Sequence, residues 1–111
     1  MNIVIAGMGV VGTHIASVLA KDNLILIDED ESLLAQVRSE TDAMSLQGNA
    51  VSESVLRRAK TAQADLFVAV TNRDEANIIA ALRAKHLGAK RAIARVVDRV
   101  YFEGEQGLYE N

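Results

Sequence analysis

Hydrophobic positions along the chain fall into five short solid blocks, separated by stretches in which they recur every three or four residues. The blocks are Asn2–Ala6, Leu24–Asp28, Ala43–Leu46, Leu66–Val70 and Arg91–Val96. Most are continuously apolar rather than alternating, the pattern of parallel strands buried on both faces. The intervening stretches predict helices over about Val11–Lys21, Glu31–Glu40, Glu53–Lys60 and Asp74–Leu87, with Ile78, Ile79, Leu82 and Leu87 marking the apolar positions of the longest.

The polar residues between these elements agree with that division. Asp30 and Ser52 stand where N-caps of the second and third helices belong. Asn72 with Glu75 has the spacing of a capping box for the fourth. Gly88 follows a basic last turn and reads as the glycine that ends that helix. Asp22-Asn23 makes a tight return, and no proline interrupts any element. Strand and helix in strict alternation, with short connections, predict a parallel sheet covered by helices on both faces. Right-handed crossovers then favour a Rossmann-like doubly wound sheet with strand order 3-2-1-4-5. Residues 98–111 begin a helix and stop before a sixth strand, so the chain reads as one domain, 1–111, cut inside the fold or ahead of a further domain.

Charge and composition narrow the function. The 111 residues carry 12 Lys and Arg against 15 Asp and Glu, a net charge of −3, which gives no reason to expect a nucleic-acid partner. The sequence contains no cysteine, so disulfides, thiolate zinc sites and a cysteine nucleophile are excluded within it; this fits a cytosolic setting. His14 and His86 lie far apart with no second ligand at metal spacing, and no metal site is expected. Residues 2–20 carry no Asp, Glu, Lys or Arg and resemble a membrane span or signal peptide. Three glycines and a change of period from strand block to helix make strand, turn and helix the better reading.

The chemistry concentrates in Gly7-Met8-Gly9-Val10-Val11-Gly12, a G-x-G-x-x-G run that follows a strand and opens a helix. Asp28 ends the next strand, 16 residues after Gly12. In that context the motif points to dinucleotide or nucleotide binding. Gly7 permits the turn, Gly9 leaves room for a pyrophosphate against the backbone, and Gly12 lets helix and strand approach. Free N–H groups at the helix start attract phosphate. Asp28, followed by Glu29, is placed to accept from adenosine ribose hydroxyls and to repel a 2′-phosphate, which disfavours NADP. Asn49-Ala50, at the end of the third strand, is a candidate adenine contact, Asn49 accepting from N6 and the Ala50 N–H reaching N1; a plain turn is the other reading. Val70-Thr71-Asn72 ends the fourth strand across the switch point, where ligand contact and helix capping can coexist. Arg95 ends the fifth strand, and its guanidinium fits a phosphate or an acidic partner surface equally well.

Two longer runs are more specific. "GNAVSESVLRRA" (48–59) and "ADLFVAVTNRDEANIIAALRAKHLGAKRAIARV" (64–96) resemble the N-terminal domain of Trk-type potassium-uptake regulators, the RCK or KTN (TrkA-N) domain, and the resemblance covers essentially the whole chain. It implies a cytoplasmic regulatory subunit, peripheral on the inner face of the membrane, that binds NAD(H), ATP or ADP. It also implies assembly into dimers or rings beneath a potassium-transporting membrane protein. By position Gly7, Gly9 and Gly12 match the family's phosphate loop, Asp28 its ribose carboxylate, Asn49-Ala50 its adenine contacts, and Thr71 and Arg95 its phosphate side. Asn49 stands where many members have Asp, and Val10 where one branch has an arginine for the γ-phosphate, so NAD(H) is the leading ligand and ADP or ATP the alternative.

A dehydrogenase fragment is the main rival, but the sequence offers little catalysis. Tyr101 is followed four residues later by Glu105 and not by lysine, and neither histidine has a place over a nicotinamide. No enzyme activity is therefore expected. A channel-linked or cation-efflux version of the same domain is a second rival that the residues alone do not separate.

Overall fold

In a computed structural model, which describes residues 1–103, five parallel strands form one sheet in the order β3-β2-β1-β4-β5. The strands are β1 (Asn2–Ala6), β2 (Asn23–Asp28), β3 (Met44–Gln47), β4 (Leu66–Ala69) and β5 (Ala92–Ala94); the helices are α1 (Val10–Val18), α2 (Glu31–Arg38), α3 (Glu53–Arg58) and α4 (Asp74–Leu87). Short 3-10 turns cover Thr61–Gln63 and Arg99–Phe102. The predicted strand order and parallel sense hold. The expectation that the chain stops before a sixth strand falls on residues from 104 onward, which lie outside the described residues.

β1 is central, with Ile3 beside Leu24 and Leu66, and Ala6 beside Ile27 and Ala69. Successive residues of a strand face opposite sides, and two apolar clusters result. Ile3, Ile5, Leu24, Leu26 and Val68 pack with Ala16 of α1 and with Leu34 and Val37 of α2. Val4, Ala6, Ile27, Phe67 and Ala69 pack with Val55 and Leu56 of α3 and with Ala80 and Ala84 of α4. Burying strands on both sides is why the sequence shows solid blocks and not alternation.

Several local expectations are corrected. α1 stops at Val18 and not at Lys21, because the Asp22 N–H turns back onto the Leu19 carbonyl to bring Asn23 into register beside Asn2. α3 stops at Arg58, and Lys60 then adopts a left-handed conformation, φ 57°, before the 3-10 turn. Asp30 caps α2 as expected, accepting from the Ser32 hydroxyl and the Ser32 N–H, which hold its carboxyl below the usual range. Ser52 is at the N-cap of α3, but its side chain pairs with Ser54 and makes no cap bond. The expected capping box does not form: Arg73, not Asn72, is the N-cap residue of α4, and it makes no side-chain cap bond. Gly88 ends α4 as expected, its N–H donating to the Lys85 carbonyl. On α4 itself the sheet-facing positions are Asn77, Ala80, Ala81 and Ala84, while Ile79 and Leu82 are exposed. Small side chains let the helix lie close to β4, and the larger aliphatics flank or point away from that contact.

Candidate functional site

At the carboxyl end of the sheet the chain leaves β1 in one direction and β4 in the other, so α1 and α4 diverge and open a crevice between them. A cleft of about 670 Å³ occupies it, in the range of small-molecule sites. A second, of about 460 Å³, lies at the opposite end among Asn2, Asp22, Asn23 and Lys60. The first is the candidate site, because the glycine run opens onto it.

The turn after β1 is built by contact as well as by backbone freedom. Gly7 has φ +105°, and a Cβ there would meet the Thr71 nitrogen at 2.8 Å. A Cβ on Gly12 would come within 1.7 Å of the Gly7 carbonyl oxygen. A Cβ on Gly9 would meet nothing within 4 Å, so the second glycine of the run faces open space on the cleft side. Gly9 is the N-cap of α1 and supplies no side-chain cap, and no acidic residue occupies the first turn. The N–H groups of Val10 and Val11 therefore lack acceptors among the described residues, as the first turn of a helix does, and carry the positive end of its dipole.

Asp28 faces this turn from the end of β2. Its carboxylate accepts from the Met8 N–H at 2.7 Å with one oxygen and from the Asp30 N–H at 2.8 Å with the other. Two backbone donors thus fix its orientation and leave each oxygen a further lone pair directed outward. Beside it, Gly48 N–H bonds the Asp28 carbonyl and the Gln47 amide bonds the Glu29 carbonyl, which joins the ends of β2 and β3. Asn49 is exposed, and its side-chain oxygen already accepts from the Val51 N–H at 2.9 Å, so only part of its accepting capacity remains for an adenine. The Ala50 N–H has no acceptor among the described residues.

The opposite wall is held by a residue that the sequence reading passed over. Asn77 of α4 is fully buried. Its oxygen accepts from the Thr71 N–H at 2.9 Å and the Thr71 hydroxyl at 2.6 Å, and its nitrogen donates to the Thr71 carbonyl at 3.0 Å and the Arg95 carbonyl at 2.9 Å. One amide thus ties the end of β4 to the end of β5. Asp74 adds a second tie, accepting from the Val97 and Asp98 N–H groups. A polar residue on the sheet-facing stripe of a helix was the available signal for Asn77, since a buried amide has to find partners.

Of the residues singled out from sequence, Gly7, Gly9, Val10, Val11, Asp28, Glu29, Asn49, Ala50, Val70, Thr71, Asn72 and Arg95 line the cleft. Met8 and Gly12 do not. The Met8 side chain is buried in the core and contributes its N–H to Asp28, and Gly12 lies beneath the turn. Arg73, Glu75, Ala76 and Ile79 line the cleft without having been singled out as site residues. His14 and His86 are exposed and away from it. Among the described residues no cluster of three or more metal-ligating side chains occurs, and no helix is long and apolar enough to cross a membrane.

These features define a class: a Rossmann-like doubly wound α/β domain with an open glycine-turn cleft at its switch point. Within that class the chain belongs to the TrkA-N domain family, whose model matches residues 3–109. It is similar to the Trk system potassium uptake protein TrkA homolog of Archaeoglobus fulgidus, 45% identical over 104 residues, covering 93% of this chain and 24% of that protein. It is 36% identical over 114 residues to the Trk system potassium uptake protein TrkA of Haemophilus influenzae, covering 100% of this chain and 25% of that protein. The chain thus spans about a quarter of these relatives. Among solved structures, the Shewanella denitrificans Kef CTD in AMP-bound form superposes with a TM-score of 0.76 at 21% identity, covering 90% of this chain and 62% of that one, a likeness of fold.

Proposed function

We propose that this domain binds an adenine nucleotide in the switch-point cleft and acts as the regulatory, gating part of a potassium transport system, not as an enzyme. The observation that carries the reading is the juxtaposition of the uncapped N-terminus of α1, with space beside Gly9, and the fixed Asp28 carboxylate: an anion site next to a ribose acceptor. The relatives' names support the transport setting, and the AMP held by the Kef domain supports the ligand class. NAD(H) is the leading ligand, with ADP and ATP the alternatives. Gly7, Gly9, Val10 and Val11 receive the phosphates, supported from beneath by Gly12 and Met8. Asp28 and Glu29 receive the ribose, Asn49 and Ala50 the adenine, and Val70, Thr71, Asn72 and Arg95 the distal half. The setting is the cytoplasmic face of the membrane, against a potassium-transporting membrane protein. A ligand acts there as a switch by binding two conformations unequally.

A panel of NAD, NADH, AMP, ADP, ATP and NADP tests the ligand. At a hundred times its dissociation constant a bound nucleotide should add about 2.7 kcal/mol and raise the melting temperature. Asp28→Ala should weaken NAD and ADP by the same factor, through loss of about 1.5–3 kcal/mol, because both carry the adenosine ribose. NADP should bind the parent poorly. A melting temperature unmoved by every nucleotide at millimolar concentration would sink the reading.

The same proposal includes a homo-oligomer, a dimer or ring. Ile79 and Leu82 of α4, Ile93 of β5, and Val97 and Val100 beyond it leave apolar side chains exposed along one edge of the domain. Exposed apolar surface of this kind marks interfaces. Light scattering on the intact protein should give a mass above the monomer, and Leu82→Glu should lower it; a strictly monomeric mass at high concentration contradicts the assembly.

A further inference from the structure

We propose that Arg73, acting with Arg95, reads the charge at the distal end of the bound nucleotide. The pair favours a polyphosphate terminus over a single phosphate, and a neutral dihydronicotinamide over the nicotinamide cation. This rests on the nucleotide reading above and adds a specificity-determining residue to it.

The cleft is polarised. Asp28 and Glu29 occupy its β2 side, and Arg73 and Arg95 its β4–β5 side. Some cationic side chains outside the cleft are matched: Arg38 pairs with Glu31, Arg57 with Glu53, Lys90 with Asp65, and Arg83 donates to the Val51 carbonyl. Among the described residues the guanidinium groups of Arg73 and Arg95 have neither an ion pair nor a hydrogen-bond acceptor. Their backbones are nevertheless fixed. Asn77 holds the Arg95 carbonyl, and the Thr71 hydroxyl, itself held by Asn77, accepts from the Arg73 N–H at 3.3 Å. Two side chains that stay charged at any physiological pH, and whose planar forks match phosphate oxygens, therefore extend from backbone held by Thr71 and Asn77.

Acidic groups share this wall and define the counter-effect. Both oxygens of Asp74 are committed to the Val97 and Asp98 N–H groups. Glu75 lines the cleft and lies near Tyr101, whose hydroxyl is pushed up by lost hydration and then by Glu75, Asp74 and Asp98. Glu75 is thus the carboxylate that opposes the two guanidiniums. A ligand lying with its ribose at Asp28 presents its distal group to this end of the cleft, where one added phosphate or one nicotinamide charge meets a net cationic pair.

The test is calorimetric titration of the intact protein and of Arg73→Gln with AMP, ADP, ATP, NAD and NADH. The exposed Arg73 side chain makes no internal bond, so the variant should melt with the parent in the absence of ligand. In the parent, ATP should bind more tightly than AMP, and NADH more tightly than NAD. Arg73→Gln should cut ATP binding about tenfold while leaving AMP within about twofold. It should also shrink the NADH-to-NAD ratio, and Glu75→Gln should widen both ratios. Ratios near one in the parent, or ratios unchanged by Arg73→Gln while all five ligands still bind, overturn the proposal and leave the nucleotide site intact. Failure of all five to bind the parent removes the site itself, and the proposal with it.

Discussion

Replacing Gly12 by alanine should destabilise the domain by about 3 kcal/mol, the upper part of the overpacking range, and abolish nucleotide binding. Local propensity predicts the opposite sign, since alanine in a helix interior is favoured over glycine by about 1 kcal/mol. Sterics decide the outcome. The new Cβ would be 1.7 Å from the Gly7 carbonyl oxygen and 2.8 Å from its carbon, and both atoms belong to the backbone of the turn. Neither can swing aside as a side-chain tip would. Relief requires α1 to move off β1 or Gly7 to shift, and Gly7 is pressed in turn against the backbone of Val70 and Thr71. Gly9→Ala is the informative contrast. Its Cβ meets nothing within 4 Å, so stability should change by less than about 0.5 kcal/mol. Binding should still fall, because the added methyl occupies the space assigned to phosphate. Urea unfolding and titration of each variant separate the two effects. A Gly12→Ala protein as stable as the parent would refute the close approach of helix and turn.

This contrast also shows what the sequence could express. The G-x-G-x-x-G spacing ahead of a helical period carried the turn, the cleft and the place of Asp28, because each glycine answers a local geometric demand that only its own neighbourhood imposes. The strand order was legible because the apolar blocks were too solid for an exposed sheet. What was not legible depends on tertiary contact. Ile78, Ile79 and Leu82 carried the apolar signal on α4, yet Ala80 and Ala84 make the closest packing, since proximity to β4 selects small residues that periodicity weights lightly. Asn72 had the composition of a cap, but the turn is organised by Thr71 and Asn77, so the helix starts one residue later than the capping box implies. Arg73 carries no motif that marks it in the sequence; only the fold brings it, with Arg95, to the lining of the cleft.

Asn77→Ala should be the second most damaging substitution, and it should act at a distance from any ligand atom. The buried amide satisfies four groups: the N–H, hydroxyl and carbonyl of Thr71 and the carbonyl of Arg95. Its removal leaves these without partners in a part-buried setting, where each unsatisfied group costs roughly 1–3 kcal/mol. Water entering the vacated space recovers some of that, and a net loss of about 3 kcal/mol is expected. For a domain of this size such a loss lowers the melting temperature by roughly 15 °C. The consequence for binding is selective. The β2 wall, with Asp28 and the Gly9 turn, does not depend on Asn77, so AMP should retain most of its affinity. Ligands that reach the Thr71–Arg95 wall should lose theirs. Asn77→Asp sharpens the test: it keeps an acceptor for the Thr71 N–H but turns a carboxylate toward two carbonyl oxygens, which raises its folded-state pKa. Its neutral form is then the better tolerated one, so the deficit relative to the parent should be largest at neutral pH and shrink as pH falls through that raised value. Equal loss of AMP and ATP binding in folded Asn77→Ala, or an Asn77→Asp deficit independent of pH, would show that the amide does not hold this wall in the manner described.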